Sequence, residues 1–149
     1  MKRDYLVYPS MIGDQSGIIW SYNDSKTIST FDNTHPLNVS ANQCHNRTIC
    51  LWYASPLQSF NDSARTQYAL LGEWNKWTAV SQQRFLSIIT DTQDNQATIT
   101  VQGVSNETVP IVVYHSLLQS VIVNCTFSTN DAQAHIVVTP SDVVCSSFN

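Results

Sequence analysis

What most constrains this chain is a succession of short β-branched segments in which neighbouring side chains alternate in character. Across residues 121–128, Val121, Val123, Cys125 and Phe127 fall on one face and Ile122, Asn124 and Thr126 on the other. That is the two-residue period of a strand. The same period runs through Ile18, Trp20 and Tyr22, and through Ile49, Leu51 and Tyr53 set against Cys50, Trp52 and Ala54. Segments 97–104, 108–116 and 133–140 repeat it, separated by polar turns such as Ser105-Asn106-Glu107. Segment 66–74 reads as a further strand, and segment 83–91 as either a strand or one helical turn.

No stretch longer than about ten residues carries a capped 3.6-residue stripe, so helix is expected to be minor. Short strands at roughly 8–12 residue spacing predict an all-β fold, an antiparallel β-sandwich of immunoglobulin-like or jelly-roll-like kind, with the C-terminal third as a meander. A length of 149 residues suits a single domain over 1–149. Within it, 1–9 is expected as an N-terminal arm or edge strand and 21–46 as a long decorated loop.

The strand 121–128 also carries a compartment signal. Asn124-Cys125-Thr126 is a glycosylation acceptor triplet, and so are those beginning at Asn23, Asn38, Asn46, Asn61 and Asn106. Ser and Thr supply 32 of the 149 residues and Asn twelve. Chance would give roughly 2.6 triplets, so six is about double. Four cysteines permit two disulfides, and an oxidising compartment supplies both disulfides and glycans. The local pairing is Cys44 with Cys50 and Cys125 with Cys145, the second tying a strand to the chain end. On a half-solvated sheet Cys125 would point inward to pair while Asn124 points outward. The expected location is therefore extracellular or cell-surface. The opening Met1-Lys2-Arg3 leads into no apolar core of roughly 7–15 residues, so secretion would depend on a signal removed from ahead of it.

Several functions are disfavoured. The seven Lys and Arg are scattered, and a net charge of −4 with no basic stripe argues against nucleic acid. No apolar run approaches the ~18 residues of a membrane span. His35, His45, His115 and His135 lack metal-ligand spacing, no metal or other cofactor is expected, and most of the acids lie in turn-like sequence where solvation is the expected role. There is no nucleophile elbow. The chain is expected not to be an enzyme.

Two features point to contacts. Trp74 and Trp77, flanked by Glu73 and Lys76, could stack on the apolar face of a sugar ring or on a partner, or pack in the core. Tyr5, Leu6, Val7 and Tyr8 alternate before Pro9 and are a candidate assembly arm that adds to a neighbour's sheet edge.

The order of elements from Ala69-Leu70-Leu71-Gly72-Glu73-Trp74 through Ile99, Val101, Gly103, Val104, Glu107 and Val109 to Cys125 resembles the C-terminal β-sandwich accessory domains of some secreted glycoside hydrolases. The resemblance covers about half the chain. It implies a sandwich packed beside a catalytic barrel and carries over no catalytic residue. The expected function is a secreted, N-glycosylated structural or interaction protein, a subunit of an extracellular filament or surface assembly that associates with itself or with other extracellular glycoproteins. The alternative is a non-catalytic accessory or carbohydrate-binding domain.

Overall fold

The computed structural model describes residues 5–13, 16–21, 24–39, 51–128 and 132–147. Their backbone contacts group into two compact units, Met1–Leu57 and Gln58–Asn149. The fold is all-β, and the one helical element among the described residues is the 3-10 turn Pro9–Met11.

The first unit holds β1 (Tyr5–Val7), β2 (Gly17–Ser21), β3 (Asp24–Phe31), β4 (Leu37–Val39) and β5 (Trp52–Pro56). β1 pairs antiparallel with β4, with Leu6 opposite Asn38. β2 lies between β3 and β5 in a three-stranded antiparallel sheet. Ile18, Ile19, Trp20 and Phe31 are buried, and Trp20 stacks on Tyr53, its register partner, with ring centroids 4.5 Å apart. The expected loop over 21–46 is thus corrected by β3 and β4. In Lys26-Thr27-Ile28-Ser29-Thr30-Phe31 strand propensity comes from Thr and Ile. Short hydroxyl side chains blur the apolar alternation by which a strand is read.

The second unit is the sandwich. Its strands are β6 (Gln58–Ser59), β7 (Gln67–Glu73), β8 (Phe85–Asp91), β9 (Gln96–Gln102), β10 (Thr108–His115), β11 (Gln119–Thr126), β12 (Gln133–Val138) and β13 (Val143–Ser147). One sheet has the order β11-β10-β7-β6 and the other β13-β12-β9-β8, all antiparallel. Segment 83–91 therefore resolves into a strand. The meander is corrected as well: hairpins β8–β9, β10–β11 and β12–β13 pair internally, but the chain changes sheets between them. Alternation alone reports that a strand has a buried face. It does not report which sheet supplies the neighbour.

The core fills the space between the two sheets. Ile111, Val113, Val123 and Cys125 from one sheet pack with Ile99, Val101, Ile136 and Val138 from the other, and Phe127 closes one end. β9 and β12 alternate buried and half-buried residues along their length, the sandwich signature. Cys125 and Cys145 are disulfide-bonded with Cα atoms 5.4 Å apart. Since β11 and β13 are the outer strands of opposite sheets, the bridge staples sheet to sheet. The sequence predicts a bridge from a strand to the chain end, because the polar second half of Val143-Val144-Cys145-Ser146-Ser147 hides β13.

Turns are made largely without glycine. Asn75, Asn95 and Asn106 hold φ of 61°, 50° and 64°. A chain with four glycines uses asparagine, the side chain that best tolerates the left-handed region, in their place. Among the described residues no helix is long and apolar enough to cross a membrane.

Candidate functional site

At the end of the sandwich where β7 and β9 finish and β8 and β10 begin, a groove of about 360 Å3 is lined by Glu73, Ser81, Gln83, Arg84, Gln102, Gly103 and Val104. Its walls follow from how β7 leaves its sheet. Gly72 takes φ +104°, and a Cβ there would sit against the Ala79 carbonyl and the Val80 side chain. Only glycine meets both demands. Glu73 N then donates to Ala79 O at 2.8 Å and Trp74 N to Pro110 O at 2.9 Å. The loop 74–80 is closed at its base by these bonds and carries its indoles outward: Trp74 is 39% and Trp77 67% exposed. Of the two roles the sequence leaves open for these tryptophans, core packing is therefore not the one they adopt.

Arg84 organises the groove floor. Its Nε donates to Glu73 Oε1 at 2.6 Å, Nη1 to the Gln102 carbonyl at 2.7 Å and to Glu107 Oε2 at 2.9 Å, and Nη2 to Glu107 Oε1 at 2.9 Å. Four of the five guanidinium N–H groups are thereby assigned, and one side chain joins the ends of β7 and β9 to the turn before β10. The guanidinium lies 5.9 Å from the centre of the Phe127 ring. Glu107 Oε2 also accepts from Val104 N at 3.0 Å. Gly103 passes so close to Phe127 that a Cβ would meet the ring.

The electrostatics follow from this geometry. The Arg84 hydrogen bonds, then the Val104 N–H, hold the Glu107 carboxyl below its ordinary range, and the nearby Lys76 charge acts in the same direction. Reciprocally, the Glu107 hydrogen bond raises Arg84. From the sequence, Glu107 and Glu73 are expected among the solvated acids. Instead Glu73 is buried, with 7% exposure, and both are ion-paired. Sequence reasoning missed this cluster because its members lie on three separate segments. The usable signal was an Arg just before a strand and a Glu inside an otherwise neutral turn.

The other expected positions are dispersed. Asn38 on β4, Asn61 in a bend, Asn106 in a turn and Asn124 on β11 are all exposed. Thr108 and Thr126, the hydroxyl residues of the Asn106 and Asn124 triplets, share a 3.0 Å hydrogen bond across β10 and β11, so those two triplets occupy one patch. Asn23, Asn46, Cys44 and Cys50 lie outside the described residues. Tyr5, Leu6 and Val7 form β1, paired within the chain's own two-stranded sheet, and Tyr8 precedes the 3-10 turn. The outer strand β8 exposes Leu86, Ile88 and Ile89. Among the described residues no three His, Cys, Asp or Glu side chains are grouped so as to hold a metal ion. Set against known proteins, the chain matches no family model, no curated protein and no solved structure.

Proposed function

We propose that this chain is a non-catalytic interaction domain of an extracellular, N-glycosylated protein. The observation that carries this reading is the pair of adjacent residues on β11, exposed Asn124 within an acceptor triplet and fully buried Cys125 within a disulfide. Glycan and disulfide chemistry belong to the same oxidising compartment. The partner is a second copy or another extracellular glycoprotein. β8 supports this, being a sheet edge with three exposed aliphatic side chains and no lysine or proline to blunt it. The two acids by the groove support a non-catalytic role, since Arg84 binds both and holds Glu107 ionised, which is unsuited to donating a proton.

The test is expression through a eukaryotic secretory pathway, with mass measured before and after an N-glycan amidase and size by light scattering. Loss of several glycan masses together with an assembled state is expected. An unmodified monomer at high concentration would sink the proposal. A second reading, a carbohydrate-binding accessory domain like those of secreted glycoside hydrolases, is favoured by the outward placement of Trp74 and Trp77.

A further inference from the structure

At the outer strand β8 we infer a self-association seam: two copies of this chain join β8 to β8, antiparallel about a two-fold axis at Ile88, and merge their four-stranded sheets into one. This deepens the interaction-domain reading and rests on it.

The strand is an open edge. Among the described residues β8 pairs with β9 alone, in the order β13-β12-β9-β8. In an antiparallel ladder every second residue turns its N–H and C=O away from the neighbour, so β8 presents a row of such groups on its far side. Its one register shift lies between Phe85 and Ser87, which leaves residues 87–91 as a regular run. Two other outer strands of the sandwich are less available. β6 has only two residues, and β11 carries the Asn124 triplet, whose glycan in the proposed reading would crowd that edge.

Apolar side chains stand exposed on both faces of this edge. On β9, Ala97, Ile99 and Val101 face the core and are fully buried. Ile88 is the register partner of Ile99 and so shares its face, yet it is 50% exposed. The next residue, Ile89, lies opposite Thr98 on the other face and is 62% exposed. A layer laid over one face would cover one of the two and leave the other in water. A strand added beside β8 covers both at once.

The added strand that fits is β8 itself. With Ile88 on the axis, Ile88 meets Ile88 of the second copy, Ser87 lies opposite Ile89, and Leu86 opposite Thr90. Each of these pairs falls on a common face, because its members differ by an even number of residues. The seam then gathers the three exposed aliphatic side chains of each copy, Leu86, Ile88 and Ile89. Charge selects the same alignment. Asp91 is the one charged residue of β8, and antiparallel pairing sets the two carboxylates about 20 Å apart at opposite ends of the seam. Parallel pairing would bring them side by side. The head-to-tail arrangement, β8 against β13 of the next copy, matches these three aliphatic side chains with Val144 alone and over five residues instead of seven. A contact between two strands of this length buries less than about 1,200 Å2, the size of a weak and reversible association.

The experiment uses the full secreted chain. Sedimentation equilibrium from about 1 µM to about 1 mM should show a monomer–dimer equilibrium with Kd of about 10–100 µM. Ile89→Lys, at an exposed position, should weaken it at least about tenfold with an unchanged melting temperature. Under mild oxidation Ile88→Cys should give a dimer crosslinked through position 88 in both chains, since directly opposed residues lie within disulfide reach. That crosslink does not depend on how well Ile89→Lys folds, and its absence overturns the two-fold seam. If the protein dimerises but a folded Ile89→Lys does so equally well, β8 is not the contact while self-association stands. Growth into larger oligomers, with Ile88→Cys and Val144→Cys in one chain crosslinking 88 to 144, would replace the two-fold seam by the head-to-tail one. A wild-type chain that stays monomeric at about 1 mM removes both the seam and self-association.

Discussion

Arg84 and Glu107 meet fork to fork, Nη1 on Oε2 and Nη2 on Oε1, each at 2.9 Å, while the remaining edge of the guanidinium holds Glu73 at 2.6 Å. Arg84→Ala would leave Glu73, 7% exposed, without its ionic partner. Breaking such a pair from one side costs about 3 kcal/mol. Chemical denaturation should show that loss for Arg84→Ala and a smaller one for Glu107→Gln, whose shape is kept. Equal stability in all three proteins would mean the cluster contributes nothing.

The same pair sets a direction for acid sensitivity. Glu107 is held below its ordinary range by Arg84, and Asp62 by the Thr66 hydroxyl and N–H. Carboxyls depressed in the folded state contribute stability that is complete above their unfolded values and is lost as pH falls through their folded ones. Unfolding midpoints should therefore decline below about pH 4.3, and Glu107→Gln should flatten that decline. A midpoint insensitive to pH from neutrality to about 3 would contradict this.

The disulfide should be visible to peptide mapping without reduction as a Cys125–Cys145 crosslink. Replacing both cysteines by alanine removes a bridge spanning 20 residues, worth about 3 kcal/mol on the loop-entropy account. Recovery of Cys125 linked to any other cysteine would refute the pairing.

His115 is fully buried, with Nε2 donating to Thr139 O at 2.9 Å and Nδ1 accepting from Leu117 N at 3.2 Å and Leu118 N at 3.3 Å. It thereby ties the β10–β11 turn to the β12–β13 turn. His115→Ala leaves two N–H groups and a carbonyl unsatisfied and opens a cavity, at a cost of about 3 kcal/mol. A shift in melting temperature within error would show that these bonds are replaced by water.

The tryptophans should divide by position. Trp20→Ala, at a 2% exposed site stacked on Tyr53, should destabilise by about 3 kcal/mol or more. Trp77→Ala should change stability by about 0.5 kcal/mol at most. Similar losses in both would place Trp77 in a packed environment.

What was legible in the sequence was whatever repeats with period two. Strands β9, β10, β11 and β12 carry β-branched residues in register with their buried faces, and the inward Cys125 beside the outward Asn124 follows from the same geometry. Illegible was what depends on partners far apart in the chain. Which sheet a strand joins is decided by crossovers, and although the pairing of Cys125 with Cys145 was legible, the strand that carries Cys145 was hidden by its polar half. The groove was hidden for the same reason: Glu73, Arg84, Gln102 and Glu107 have no common spacing, and only the end of a folded sandwich brings them together. The outward turn of Trp77 depends on Gly72, whose conformation no local pattern announces.

The bridge between β11 and β13 also determines how the sandwich would bear a mechanical load. A pull applied to the chain beyond Cys145 passes through sulfur into the opposite sheet, so β13 cannot be peeled away one hydrogen bond at a time. The 20-residue span between the two cysteines stays out of the extensible length until the bond is reduced. Stretched as a single molecule, the oxidised protein should release a correspondingly shorter contour than the reduced one, making the sulfur pair a strain limiter at the sandwich's seam.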